Sequence, residues 1–490
     1  MNPKNKEELI TVCETTARHP NQSRDRGTPL GPGAVGRYIV RASVTLALLL
    51  AAALTAQTKH MQSKLIIVDP GHFHATLLQK DMYPWVDPRV TVYAPLGPDL
   101  LDYLNRISLF NSRPGNPTQW ALDIHTGSDP MAEMLRGRAG NIVVFTGRNR
   151  GKIDRILAAL KAGLNVLADK PWIIASADLP KLEEALALAQ QKNLAAYDIM
   201  TERYEVTSEL QREFVNDREV FGTLEKGSAP EPAVRARSIH HVMKVVAGTP
   251  LRRPPWFFDI DEYGEGLADV GTHMVDLVQW TAFPDRALDY RQDVAVLAGR
   301  RWPLKMTREQ FTRVTGAADF PPALADRVHG GTLDYYCNNS VDYTLRGVHV
   351  ALEILWNWEA PSGAGDVYEA SFRGTKSRVE IRQGKTERFV PEVYIAGPDS
   401  NMPAGVAAAV EKRVAALQSR WPGLAAAPSG PEIRIVVPEK FRVGHEAHFG
   451  QVTNRFFDYV TSPKSLPAWE TPYMLAKYAV STKGVERGKQ

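Results

Sequence analysis

The sequence predicts a two-domain α/β protein. An N-terminal Rossmann-like, doubly wound parallel sheet spans residues 62–198, and a C-terminal α/β domain with a large, mainly antiparallel sheet spans residues 199–480. Three observations predict this. Between Lys64 and Tyr197 short apolar runs alternate with helical periods, the spacing of parallel strands and crossover helices. From about Thr201 the texture changes to strand-like alternation in "VDYTLRGVHVALEILWNWEA" and "VYEASFRGTKSRVEIRQG", as in antiparallel sheets with one wet face. The length of 490 residues, with 44% hydrophobic and 23% charged content, suffices for two buried cores.

The elements follow in order. "KLIIV" reads as a buried strand, and Phe73 to Lys80 as the helix after it. "RVTVYA" is a second strand and "NIVVFTG" a later one. In "KIDRILAALKAG" the residues Ile153, Ile156, Leu157 and Leu160 share one helical face, and Gly163 stops the helix. "LNVLADKP" is the next strand. Asp178 caps a helix with Pro180 in its first turn, running to about Lys192. Residues Asp285 to Asn339, with three prolines and clustered charges, read as an insertion rather than core, and residues 481–490 as a tail.

The first 61 residues read as a leader. "GRYIVRASVTLALLLAAALTAQ" places Arg37 and Arg41 ahead of an apolar run from Val44 to Leu54, with small residues and a cleavage point at Ala56. This outlines a Sec-type signal peptide; the alternative is a buried core helix. The run is shorter than the roughly 20 apolar residues of a membrane span, so no stable span is expected once the leader is removed. The long polar preface from Met1 to Val35 suggests translation starting near Val35. No Arg-Arg pair precedes the apolar run, which leaves the twin-arginine route unsupported. The expected location is periplasmic or secreted. Of the two cysteines, Cys13 and Cys337, only Cys337 would remain, so neither an intramolecular disulfide nor a cysteine zinc site is expected. The net charge of +4 is interspersed, without a basic stripe, which argues against a nucleic-acid partner.

Four stretches could carry chemistry. "VDPGHFHATLLQ" follows the first strand, where a glycine-rich phosphate loop belongs. Gly71 permits one close backbone approach, and His72 and His74 add donors, but the three-glycine fingerprint is absent. An ordinary strand-to-helix turn is the other reading. The second strand ends in Ala94 and Pro95, without the acid that holds ribose hydroxyls, the nearest being Asp99. In "ADKPW", Lys170 stands at a strand's carboxyl end and would point into the crevice as a proton donor or acceptor, unless it is a surface lysine before a turn. In "GEGLADVGTHMVDLVQW", Asp269, His273, Asp276 and Trp280 fall within about 60° of the helical wheel. A carboxylate one turn from a histidine can orient the imidazole. The alternatives are a capping acid with a structural histidine, or a metal site of Asp269, His273 and Asp276 lacking an obvious further ligand.

The order strand–turn–helix, then "AALKAGLNVLADKP", then "GLADVGTHMVDLVQW", resembles the Gfo/Idh/MocA family of glucose–fructose oxidoreductases and inositol dehydrogenases. The motifs cover about Lys64 to Phe283, and the remainder resembles the branch with an oxidoreductase C-terminal domain. "AGLNVLADKP" is similar to the family's A-G-K-H-V-L-x-E-K-P run, with Asp169 in place of Glu. "DVGTH" with Asp276 is similar to its D-x-G-x-H-x-x-D element. The resemblance implies catalytic roles for Lys170, Asp269 and His273. It implies NAD or NADP, tightly held, against Gly71, His72, Phe73, His74, Thr146, Asn149, Asp169, Lys170, Pro171 and Arg203. Val206 stands where the family has proline after Arg203 and Tyr204. Arg148 and Lys152 stand where its T-P-N-x-x-H turn has proline and histidine. "GHFHA" resembles the closing G-x-x-H-A of the phosphate loop, with Gly71 as either its last or its middle glycine. Tyr204, His241, Trp256 and Asp276 would face the substrate; the "PPWFFD" loop around Trp256 also reads as aromatic packing.

The expected activity is therefore hydride transfer at a carbinol carbon of a sugar, polyol or glycoside. His273 would take the hydroxyl proton, Asp269 would support it, and Lys170 would polarise the oxygen. No metal is expected. Export removes the cofactor pool, which favours a nicotinamide regenerated in the site. An NAD-recycling glycosidase or lyase is the alternative enzyme, and a sugar-binding protein that has lost the cofactor is the alternative outside catalysis. The oligomeric state is left open, a homo-oligomer included.

Overall fold

The computed structural model describes residues 63–246, 249–399 and 401–490. The leader, its cleavage point, the start near Val35 and Cys13 lie outside the described residues.

Strands and helices alternate as the apolar runs dictate: β1 (Leu65–Val68), α1 (His74–Leu78), β2 (Arg89–Ala94), α2 (Pro98–Ser112), β3 (Ala121–Thr126), α3 (Pro130–Gly137), β4 (Ile142–Phe145), α4 (Lys152–Lys161), β5 (Asn165–Ala168), α5 (Leu179–Gln191) and β6 (Ala196–Asp198). The six strands form a parallel sheet in the order β3-β2-β1-β4-β5-β6. β1 lies at its centre, with Ile66 opposite Thr91 on one side and Val143 on the other. Ile66 and Val68 enter one core and Leu65 and Ile67 a second, the period-2 consequence of burial on both faces. The strand order reverses between β1 and β4, which opens a crevice at their carboxyl ends.

Two local expectations change. The helix after β1 has only five residues. Asp178 stands at the N-cap of α5, but its side chain makes no capping bond; it pairs with Lys181 at 3.2 Å instead.

The second half comprises α6 (Val206–Val215), β7 (Val234–Met243), a short hairpin of β8 (Val245–Val246) and β9 (Thr249–Pro250), and α7 (Gly266–Ala282). Next come β10 (Val294–Thr307), α8 (Arg308–Thr315), β11 (Val328–His329), β12 (Thr332–Leu345), β13 (Val348–Glu359), β14 (Val367–Arg373), β15 (Arg378–Arg382) and β16 (Glu392–Ala396). The chain ends with α9 (Val406–Leu417), β17 (Ala425–Ser429), β18 (Glu432–Val436), α10 (His445–Thr461) and α11 (Glu470–Lys489). The large sheet runs β10-β12-β13-β7-β14-β15-β16-β18-β17, with β11 beside β12. Its pairs are antiparallel except β13 with β7.

Two segments correct the expectations. Residues 285–339 are not an insertion: β10 and β12 build one end of the large sheet, and Met306, Leu333, Tyr335 and Val341 are buried in the core. Pro303 and the charges along β10 masked its alternation. Residues 481–490 are not a tail. α11 continues to Lys489 and buries Ser481, Thr482 and Val485, and Gly484 lets it approach Leu267 and Val341, since a Cβ there would meet both within 3.0 Å. α10 adds Phe449, Val452 and Phe456 to the core containing Leu65 and Ile67. The C-terminal helices thus return to the parallel sheet and cover the strands that frame the crevice.

Candidate active site

The carboxyl end of β5 delivers Asp169 and Lys170 into the crevice. Lys170 is only 9% exposed and forms an ion pair with Asp269 of α7. The Tyr263 hydroxyl donates to the same carboxylate at 3.2 Å. Burial disfavours ionisation of Asp269, but the ammonium of Lys170 overrides it and holds the carboxyl below its ordinary range. Burial, then the charge of Asp269, raises the Tyr263 phenol well above its usual value, so it remains a donor. The start of α7 is fixed from the large sheet. A Cβ on Gly266 would lie 2.0 Å from the Cys337 carbonyl oxygen, so only glycine permits that approach. The Asn339 amide group donates to Glu265 and accepts from the Leu267 N–H.

His273 stands one turn beyond Asp269, on the expected helical face. The two are not joined by a hydrogen bond among the described residues; Asp269 is committed to Lys170 and Tyr263 instead. The expected orientation of His273 by Asp269 is thereby corrected: the lysine is the stronger partner and captures the carboxylate. His273 Nδ1 is buried without a hydrogen-bond partner among the described residues. Burial, then Lys170, His445, His74 and Lys477, hold its pKa well below the usual value, so the ring is neutral near pH 7.

The turn after β1 takes a left-handed conformation at Asp69, with φ of 48°, and His72 donates its N–H to the Thr146 carbonyl at 3.1 Å. The face of Gly71 is covered: a Cβ there would lie 2.9 Å from the Trp256 ring. The Trp256 indole donates to Asp99 at 2.9 Å, and the Arg148 guanidinium lies over its ring, 4.9 Å from a ring centroid. Arg148 pairs with Asp99 at 3.1 Å and Asp69 at 3.6 Å, and Arg155 reaches Asp69 at 3.6 Å. Trp256 therefore faces the turn after β1, and it also packs against Tyr263 with ring centres 5.9 Å apart. Beyond Gly71, the Nδ1 atoms of His72 and His74 lie 3.6 and 3.4 Å from one oxygen of Asp169. The other oxygen of Asp169 pairs with the buried Lys152. Phe73 packs beside both histidine rings. Thr146 Oγ1 and Asn149 Oδ1 are buried and partnerless among the described residues, while the Asn149 amide donates to the Tyr263 carbonyl at 2.5 Å. Pro171 follows Lys170 through a cis peptide bond.

Four expected site residues lie elsewhere. Arg203 clamps Asp276 through two hydrogen bonds of 2.5 and 2.7 Å and reaches Glu470 at 2.7 Å. Lys477 closes the network on Asp276 at 3.1 Å and Asp198 at 2.7 Å. Arg203 and Asp276 are therefore tied to the framework, because α11, unseen as a helix in the sequence, brings Glu470 and Lys477 against them. Tyr204 packs in the core under α10, next to Arg455. His241 is buried on β7 against Asp366 at 3.2 Å.

In their place stand residues the sequence reading missed. Glu202 feels Lys170 and His240, and burial raises its pKa. His445 stacks on His74 with ring centres 5.8 Å apart. Solvent still reaches His445, yet the recess around it, then His74 and His448, push its pKa down to about 3. Neither carries a local motif: Glu202 follows the carboxyl end of β6, and only the packing of α10 onto the crevice brings in His445.

A family model described as "Putative oxidoreductase C terminal domain" matches residues 210–489. The crystal structure of "a putative oxidoreductase" from Parabacteroides merdae is 42% identical, with a TM-score of 0.85 over 88% of this chain and 98% of that one. Two more distant structures share the fold. GenD2 from gentamicin A biosynthesis, in complex with NAD, is 16% identical with a TM-score of 0.52 over 88% of this chain and 96% of its own. KijD10, a 3-ketoreductase from Actinomadura kijaniata in complex with NADP and TDP-benzene, is 14% identical with a TM-score of 0.52 over 87% and 98%. No curated protein matches the chain. The match over the C-terminal 280 residues and the identity to the Parabacteroides structure agree with the crevice, its lysine motif and the α7 motif, and the chain belongs to the Gfo/Idh/MocA-type oxidoreductases, in the branch with this C-terminal domain.

Proposed function

We propose that the protein is an NAD(P)-dependent oxidoreductase acting at a carbinol carbon of a sugar, polyol or glycoside. The observation that carries this reading is the buried Lys170–Asp269–Tyr263 cluster at the switch-point crevice, with the partnerless His273 beside it.

The residues present fit a nicotinamide. The partnerless Thr146 Oγ1, Asn149 Oδ1 and His273 Nδ1 lie on elements bordering the crevice, suited to a carboxamide or ribose hydroxyl. Gly71 leaves a face without a Cβ, against which the Trp256 ring now packs and from which it must swing for a phosphate to approach. When bound, the nicotinamide supplies the hydride acceptor or donor. GenD2 and KijD10, whose complexes hold NAD and NADP, support the choice of cofactor. In the oxidative direction, Lys170 donates a charge-assisted hydrogen bond to the substrate hydroxyl oxygen. The neutral ring of His273 accepts the hydroxyl proton; without a hydrogen bond at Nδ1 its tautomer is free, so either nitrogen can present the lone pair. Asp269 holds Lys170 in place, and Tyr263 holds Asp269.

The leader adds export to this reading, and with export a cofactor retained through turnover. The deciding experiment is the absorbance and mass spectrum of whatever the purified protein releases on denaturation. A nicotinamide dinucleotide is the expected result. Protein that neither releases nor binds one, while still binding a sugar, would establish the non-catalytic alternative.

A further inference from the structure

The geometry points to a divalent transition-metal site of zinc type formed by His72 Nδ1, His74 Nδ1 and Asp169 Oδ2, with an open fourth position toward the crevice. One ligand atom from each of these three residues lies within 4.8 Å of the other two. Tetrahedral coordination with bonds of about 2.0–2.2 Å places ligand atoms about 3.3–3.6 Å apart. The two histidine-to-carboxylate separations are 3.6 and 3.4 Å, which match that spacing.

A second observation points to a ligand independently. His74 is 7% exposed, and its buried Nδ1 makes no close hydrogen bond among the described residues, its nearest partner being the near oxygen of Asp169 at 3.4 Å. A metal bond would give this buried nitrogen the close partner it lacks. The His72 Nδ1 accepts only a long contact of 3.5 Å from the His74 backbone N–H. The support around the ligands is also of the kind metal sites carry. Lys152 binds the far oxygen of Asp169 and the Asp169 carbonyl, which fixes the carboxylate and leaves its near oxygen to the histidines. Three protein ligands leave a fourth position open, as in catalytic rather than closed structural sites.

The open position would take water or a substrate hydroxyl or carbonyl oxygen. Lys170 directly follows a ligand, so the ion and the lysine could polarise adjacent oxygens of one vicinal diol or ketol. This goes beyond the nicotinamide reading and does not depend on it. The test needs neither cofactor nor substrate.

The full chain, free of any histidine tag and stripped with a chelator, is titrated with Co(II) and then Zn(II). The expected result is one Co(II) per chain with the visible bands of low-coordinate cobalt, displaced by Zn(II). His72→Gln and His74→Gln should each weaken binding by at least about 100-fold, the upper end of what outer-shell changes cost. Asp169→Asn deprives Lys152 of its partner and could fail to fold, so Asp169→Asn is tested together with Lys152→Met and should also lose the bands. Absence of binding in the wild type, or binding that survives both histidine substitutions, would overturn the proposal.

Discussion

Asp269 and Asp276 stand two turns apart on α7, both buried and both paired with a cation, yet they belong to different kinds of structure. Around Asp276 every charge is answered: two bonds from Arg203, one from Lys477, and further bonds from Arg203 to Glu470 and from Lys477 to Asp198. Around Asp269 the account is open. Its lysine has one carboxylate partner, and polar atoms of His273, Thr146 and Asn149 nearby have none. A saturated network holds helices together; an unsaturated one in a crevice awaits a ligand. Saturation, and not burial or a perturbed pKa, separates the two.

The largest expected effects come from breaking the saturated side. Arg203→Met leaves Asp276 and Glu470 buried with less than their full complement. We expect about 3–5 kcal/mol of lost stability, measured by urea unfolding. A loss below about 1 kcal/mol would mean that the network is wetter than its geometry indicates.

Lys170→Met should instead act on turnover, lowering it by about 10²- to 10⁴-fold, the range of a positioned proton-transfer group. The single variant also strands Asp269, which then takes up a proton. Adding Asp269→Asn should restore stability without restoring turnover. Recovery of both together would place Lys170 in the framework beside Arg203, and the contrast between the two networks would collapse.

A smaller effect follows from His273. Its folded pKa lies below the unfolded value of about 6.5, so the folded state resists a proton that the unfolded state accepts. Its contribution to stability is therefore complete above about pH 6.5 and is lost as pH falls below that, by up to about 1.4 kcal/mol per pH unit. Wild type and His273→Gln unfolded in urea at pH 5 and pH 7 should differ in this slope. Identical slopes would place the protonated ring comfortably in the folded state and remove its role as a ready base. The groups facing it are Lys170, His445, His74 and Lys477, and the ammonium groups among them oppose a second positive charge.

The parallel sheet was legible in the sequence because strands buried on both faces must be continuously apolar, as "KLIIV" and "NIVVF" are. The placement of Lys170, Asp269 and His273 was legible because each stands at a strand end or on a helix face whose direction the local pattern dictates. Arg203 and Asp276 were misassigned because their partners come from α11, more than 190 residues further along the chain, and nothing local signals that contact. His445 and Glu202 were missed for the same reason. Trp256 was not placed by the sequence because its loop folds back on Gly71 and Asp99, a meeting of two loops that no periodicity encodes.

That meeting gives the smallest and sharpest prediction. The Trp256 ring covers the glycine face against which a cofactor phosphate would rest, held by Asp99 and Arg148. If the binding-competent form is the one with the indole displaced, apparent affinity is reduced by the fraction of molecules in which it is displaced. Trp256→Ala should then tighten nicotinamide binding, by about 3- to 10-fold for a competent fraction of roughly a tenth to a third. Weaker binding would show that the indole stacks on the cofactor and belongs to the unsaturated side of the comparison. Gly71→Ala separates the two outcomes further. Its Cβ would displace the same ring, yet it also fills the face the phosphate needs. The pair of substitutions should therefore move affinity in opposite directions if Trp256 is a cover, and in the same direction if it is a contact.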